Sequence, residues 1–366
     1  MGAPHNRMVA PGRLFDKIYG SLLGGAIGDA MGGVTEMMHY RHIQTVFGTV
    51  RDLLPRGTAA TTARFEPGAP AGQVTDDTRL RDLLCSAIIA ARSRVTADEW
   101  AKTWLTEMEG WFFTPVVNAY HKVFMKEVPP REAGRGSMGS NSTAMSIAPV
   151  GLVNACDPRQ AALDAYNVAG LVHEGYARDA ACAVAAAVAE ATRLEPNVDA
   201  VIRSACRYLA AGNDIGWRIE EAVALARSTG SYEGFREAYY EAKLLPWPQN
   251  GLNGSKPPEG FSDTAEPRET VPVVFALFAL GAGRFKQSLE YAANFGRDAD
   301  TLASILGSVS GAFCGTREIP SEWIERVEAN NPVSQRTLAE GLLAAVRHEF
   351  DASQARQREL GALLGP

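Results

Sequence analysis

Two acidic clusters are the first residues in this 366-residue chain whose types and spacing suggest chemistry. Thr75-Asp76-Asp77-Thr78 precedes an apolar stripe at helical spacing, Leu80, Leu83, Leu84, Ala87 and Ile88. Asp298-Ala299-Asp300-Thr301 precedes another, Leu302, Ile305, Leu306, Val309 and Phe313. Each cluster therefore opens a helix, where the dipole tolerates negative charge. Capping with extra acids is the plain structural explanation for either cluster alone, but one cap needs only one acid or hydroxyl. Four carboxylates with threonine hydroxyls are hard oxygen ligands, suited to Mg²⁺, Ca²⁺ or Mn²⁺ and unsuited to soft metals. Gathering them without cations would set like charges against one another.

A third segment, Gly134-Arg135-Gly136-Ser137-Met138-Gly139-Ser140-Asn141, contains a GxGxxG pattern. Dinucleotide binding needs a strand before such a loop, and Pro129, Pro130 and charged residues stand there instead. What is left is a Gly/Ser loop running into a helix with Met145, Ile147, Val150 and Leu152. Its backbone N–H groups can take a phosphate, or the loop can be an ordinary surface turn.

The elements that must position these residues read as helices. Thr96-Ala-Asp-Glu99 is a capping box ahead of Trp100, Trp104 and Met108, and Asp157-Pro158 starts another helix. Helical patterns continue through 177–194, 199–211, 218–227, 288–294 and 334–350, with almost no strand-like alternation, so the expected fold class is all-α. Gly24, Gly28 and Gly32 leave one face of the first helix nearly bare, open to close approach by another helix or a ligand. Asp29 in that helix is expected to serve as a structural hydrogen-bonding group. Trp100, Trp104 and Trp111 are expected in the core. Long polar, Gly- and Pro-rich stretches at 55–73 and 246–270 read as loops within one domain, with Trp247 in the second at a possible pocket mouth.

Composition narrows the function classes. A formal charge of −6, from 42 acids and 36 bases, argues against a partner with a nucleic-acid backbone or a polybasic membrane role. No apolar run approaches the roughly 20 residues needed to span a bilayer, and residues 1–13 lack a signal-peptide core. Five scattered cysteines without a Cys-x-x-Cys pair predict small buried thiols in a reducing cytoplasm.

Taken in order, Gly24-Gly25-Ala26-Ile27-Gly28-Asp29-Ala30-Met31-Gly32, Thr75-Asp76-Asp77-Thr78, Ser140-Asn141 with Met145 and Ala148-Pro149, and Gly296-Arg297-Asp298-Ala299-Asp300-Thr301 resemble the motifs of the ADP-ribosylglycohydrolases, including the dinitrogenase-reductase-activating members. The resemblance implies a single orthogonal helical domain over 14–350, flanked by terminal extensions 1–13 and 351–366, with two Mg²⁺ ions (or Mn²⁺) in a central metal-binding cleft. Thr75, Asp76, Asp77, Asp298, Asp300 and Thr301 match the metal ligands. Glu36 matches a glutamate on a mobile segment that approaches the scissile ribose, and it follows the Gly32-Gly33 pair that ends the first helix. Glu36, Asp77 and Asp300 are the catalytic candidates, with the general base open between Glu36 and a metal-bound aspartate. Gly136, Ser137, Gly139, Ser140 and Asn141 match the loop that cradles the diphosphate, Met138 stands where an aromatic residue could stack, and His173 falls near the ligand.

The implied activity is hydrolysis of an ADP-ribosyl glycosidic bond on a protein or small molecule. Arg297 before the second acid cluster, Ser146 after Met145, and Met138 depart from the family pattern. They leave open the hydrolysis of another riboside or nucleotide, or a non-catalytic ligand-binding role.

Overall fold

The computed structural model describes residues 12–57, 68–242 and 265–365. Helix α1 (Arg13–Gly32) ends at the glycine pair, with the Gly33 N–H donating to the Asp29 carbonyl. A turn leads into β1 (Met38–His39) and α2 (Tyr40–Phe47). Helix α3 (Asp76–Ala91) starts at its Thr75 cap, and α4 (Ala97–Glu107) starts at the expected capping box, Glu99 accepting the Thr96 N–H at 2.8 Å. Next come α5 (Thr114–Phe124), α6 (Ser142–Ser146), α7 (Ala148–Val153) and α8 (Pro158–Ala169). Helices α9 (Tyr176–Ala191), α10 (Val198–Arg207), α11 (Asp214–Thr229) and α12 (Tyr232–Ala242) follow. After the second undescribed stretch come α13 (Pro267–Gly281), α14 (Phe285–Phe295), β2 (Gly296–Arg297), α15 (Ala299–Cys314), α16 (Ser321–Asn330) and α17 (Gln335–Leu364). The fold is all-α: among the described residues the sole sheet is the antiparallel pair of β1 with β2.

Helices α1 and α15 cross antiparallel at the centre, backbone against backbone. A Cβ at Gly24, Gly28 or Gly32 would run into the carbonyl oxygen of Gly307, Ala303 or Ala299 respectively. The bare face read from the sequence thus accepts a helix. Burial and dispersion over this close contact offset the helix-propensity penalty of three interior glycines, about 1 kcal/mol each. At the far end, Lys17 donates to the carbonyls of Ala191, Ala312 and Phe313, so one buried ammonium satisfies the C-terminal ends of α9 and α15. Buried Arg81 on α3 donates to the Leu22 carbonyl of α1 at 2.9 Å and to Gln335 at the start of α17, fixing α3 against both. The alanine-rich α9 is buried along almost its whole length and packs on α7, α8 and α15, its small side chains permitting close approach.

Several expectations need correction. Helix α13 begins at Pro267, inside the stretch expected to be a loop to residue 270. Trp100 and Trp104 are core residues, but Trp111 is 46% exposed, because α4 stops at Glu107 and the helical period with it. All five cysteines are thiols, yet only Cys85 and Cys182 are buried, and Cys156 is exposed. Among the described residues no helix is long and apolar enough to cross a membrane. Trp247, residues 1–11, and parts of the 55–73 and 246–270 stretches lie outside the described residues.

Candidate functional site

Three helix ends meet where α1 finishes. Asp29, fully buried in its last turn, turns its carboxylate to the start of α3 and accepts from the Thr75 N–H (3.0 Å), the Thr78 N–H (3.1 Å) and the Thr78 hydroxyl (2.5 Å). It is the structural group expected, acting as a cap supplied by another helix. Thr75 caps the same helix from within, its Oγ1 accepting the Asp77 N–H at 3.2 Å. The first acid pair is therefore held at a helix N-terminus by side chains other than its own. Because α15 runs antiparallel to α1, its N-terminus delivers Asp298 and Asp300 to the same place. Two helix N-termini then face one region, and their dipoles partly offset the negative charge gathered there.

Asp76, Asp77, Asp298 and Asp300 are all buried, and burial raises the pKa of each. Asp76 is pushed up to about 7, with the charge of Asp29 adding to burial. Asp77 rises well above the carboxylate range, through burial and then the charges of Asp29, Asp76 and Asp298, while the Thr301 hydroxyl opposes the shift. Asp300 rises well above it too, through burial and then Glu36, Asp77 and Asp298. Residues from both clusters and Glu36 thus act on one another directly.

The acids interact without closing into a shell. Among the described residues no group of three or more such side chains is tight enough to enclose a metal ion. Even so, Asp77 Oδ1 and Asp300 Oδ1 are buried with no hydrogen-bond partner. A buried acceptor with nothing to accept calls for an ion or a water. An all-oxygen set of carboxylates and hydroxyls fits a hard divalent cation.

Glu36 is half-buried in the turn after α1. That turn is joined to the segment before α15 by hydrogen bonds. Thr35 Oγ1 donates to the Ala293 carbonyl at 2.6 Å, the Met37 N–H donates to the Arg297 carbonyl at 2.6 Å, and β1 pairs Met38 with Arg297 and His39 with Gly296. Met37, Gly296 and Arg297 all have left-handed φ, of 63°, 80° and 63°. For the two residues with side chains that conformation costs on the order of 1–3 kcal/mol each, so the surroundings must impose it. The Arg297 side chain forms a buried bidentate pair with Glu269 of α13, at 2.7 and 2.9 Å.

The Gly/Ser loop lies before α6. Gly136 has a left-handed φ of 69°, and its N–H donates to the Glu174 carboxylate at 3.0 Å. Ser137 Oγ is buried without a partner, and Met138 is 56% exposed. Gly139 packs so closely on the Tyr176 hydroxyl that a Cβ would clash. His173 lies buried behind the loop, its Nε2 3.0 Å from Ser140 Oγ, so its contact with the site runs through that serine. Burial lowers its pKa to about 4 and keeps the ring neutral. The Asn141 side chain reaches the second acid cluster: its Nδ2 donates to Asp298 Oδ2 (2.5 Å) and to Thr270 Oγ1 (3.0 Å). Glu269 and Thr270 were missed by sequence reasoning, since they follow a polar, proline-rich run; the apolar helical stretch right after them, from Val271, was the available signal.

A family model described as ADP-ribosylglycohydrolase matches residues 10–356. An uncharacterised protein of Archaeoglobus fulgidus is 27% identical over 320 residues, covering 85% of this chain and 91% of its own. An ADP-ribosyl-[dinitrogen reductase] glycohydrolase of Rhodospirillum rubrum is 24% identical over 331 residues, covering 90% and 96%. A solved structure described as an ADP-ribosylglycohydrolase-related protein complex shares the fold, with a TM-score of 0.62 at 21% identity, covering 92% of this chain and 98% of that one.

Proposed function

The chain belongs to the ADP-ribosylglycohydrolase family, hydrolases of glycosidic bonds, and from that premise we propose that it cleaves an ADP-ribosyl bond with the help of two Mg²⁺ ions. The observation that carries this reading is the meeting of both acid clusters and Glu36, with two buried carboxylate oxygens lacking any hydrogen-bond donor. Thr75, Asp76, Asp77, Asp298, Asp300 and Thr301 would hold the ions. When bound, the ions, Mg²⁺ or Mn²⁺, supply positive charge that lets the four carboxylates ionise together and makes water more acidic.

The remaining chemistry belongs to the chain. Cleavage at the anomeric carbon develops oxocarbenium character, which nearby carboxylate charge favours. Asp77 and Asp300 are buried and would be engaged as ligands, whereas Glu36 is half-buried and stands outside that ligand set, with its charge acting on Asp300. Glu36 is therefore the general base of this proposal, taking a proton from the attacking water. The loop of Gly136, Ser137, Met138, Gly139 and Ser140 would receive a diphosphate. A bound phosphate would have to displace the Glu174 carboxylate from the Gly136 N–H, and the unpartnered Ser137 hydroxyl is available to donate. Asn141 would contribute by holding Asp298, and His173 by holding Ser140. The five unpaired thiols support a cytoplasmic setting.

The test is to incubate the purified protein and Mg²⁺ with ADP-ribosyl-arginine, ADP-ribosyl-serine and plain nucleotides. We expect free ADP-ribose from one of the first two, abolished by EDTA and restored by Mg²⁺ or Mn²⁺. Asp300→Ala should lower turnover by at least about 100-fold, on the scale of losing a preorganised electrostatic group. Full activity of metal-free Asp300→Ala would refute the scheme, and release of ribose or ribose phosphate from plain nucleotides would redirect it to another riboside.

A further inference from the structure

We infer that the buried Arg297–Glu269 pair is a positioning device that sets Glu36 against the second acid cluster, an inference that rests on the proposed function for the task Glu36 performs there. Arg297 directly precedes Asp298, and its backbone joins the two parts. Its carbonyl accepts the Met37 N–H at 2.6 Å, and Met38 is its partner in the two-strand pairing. The turn bearing Glu36 is thus tied through this residue to the N-terminus of α15, alongside the His39–Gly296 pairing and the Thr35–Ala293 hydrogen bond.

The same residue is held in an unfavourable backbone conformation, as is Met37 across the pairing. Such geometry persists only where the surrounding structure enforces it. The guanidinium supplies that constraint. Its fork meets both Glu269 oxygens with the two side chains only 5% and 3% exposed, which fixes its rotation as well as its position; a lysine ammonium would not. The grip extends one residue further, because Thr270, next to Glu269, accepts from Asn141, which donates to Asp298. Two adjacent residues of α13 therefore hold two adjacent residues at the start of α15, Arg297 directly and Asp298 through Asn141.

Net stability does not explain the pair. Replacing both partners of a buried ion pair by apolar or neutral groups is often neutral, while removing one partner is strongly destabilising. Placement of the site gives the buried charges a purpose.

The experiment uses the full chain with Glu269→Gln/Arg297→Met, which removes both charges of the pair together, and Glu269→Asp, which keeps the charge but shortens its reach. The first readout is amide hydrogen exchange over residues 33–39. We expect at least tenfold faster exchange at Met37 in both variants, with α1 and the body of α15 protected as in wild type. The second is Mn²⁺ affinity by electron paramagnetic resonance, expected to weaken at least tenfold. The third is turnover, expected to fall at least tenfold with KM changed less than threefold. Wild-type exchange over 33–39 together with wild-type Mn²⁺ affinity in either folded variant would overturn the positioning role. A wild-type chain that cleaves no ADP-ribosyl bond would sink the proposed function instead, and the exchange comparison would still decide the role of the pair.

Discussion

His173 keeps an imidazole in a buried place behind the Gly/Ser loop, and burial holds its pKa near 4, below its ordinary value of 6.5. Between those values the folded chain binds fewer protons than the unfolded chain. Stability attached to the neutral ring is therefore complete above about pH 6.5 and is lost as pH falls toward 4. Compared with His173→Gln, wild type should lose about 3 kcal/mol of unfolding free energy over that window. Denaturant titrations of both proteins at several pH values check this, and parallel profiles would show that the ring protonates in place. Other residues differed in how visible they were from sequence. Asp29 was legible as a buried hydrogen-bonding group because a lone acid in a glycine-rich helix has few other uses. The engagement of Asn141 with Asp298 was not, since it depends on a contact between segments far apart in the chain. Arg297 was noticed as a departure, but its partner Glu269 becomes visible only when α13 is placed.

At the scale of elements, the crossing of α1 and α15 dominates. Its glycine spacing was plain in the sequence; the identity of the partner was not, because the region of Ala299, Ala303 and Gly307 reads there only as one more apolar helix. The start of α13 was obscured by the polar, proline-rich run before it, and α5 and α16 have no capping side chain to mark their starts. Gly28→Ala would drive a methyl group into the Ala303 carbonyl. We expect a loss of at least about 2 kcal/mol in stability, since two backbones have little room to give, where overpacking usually costs about 1–3 kcal/mol. An unchanged thermal midpoint in Gly28→Ala would contradict the backbone contact.

The whole molecule is acidic, with a net charge of −6, yet the region where its buried acids meet responds to pH in the opposite way from a salt-bridged surface. Burial raises the pKa values of Asp76, Asp77, Asp298 and Asp300, and the charges of neighbouring acids add to it for Asp76, Asp77 and Asp300. The folded chain holds protons there that the unfolded chain has released, so without metal this contribution is present at low pH and lost as pH rises through the raised values. A cation competes with those protons, and its stabilising effect must grow with pH. Saturating Mg²⁺ should thus raise the thermal midpoint more at about pH 8 than at about pH 5.5, as differential scanning fluorimetry would show; an equal shift at both would place the ion away from these acids. Mechanically, α1 and α15 form a pair of rods in contact without the cushion that longer side chains would provide. Gly20 meets Gly311 at one end of the crossing and Gly32 meets Ala299 at the other, twelve residues or about 18 Å along α1. A wedge at the Gly20 end makes the intervening contacts a pivot, and a small tilt there is delivered as a displacement of Asp298 and Asp300. The molecule thereby has a lever whose handle lies far from its working end, and inherited or engineered changes at the handle will be felt at the acids without touching them.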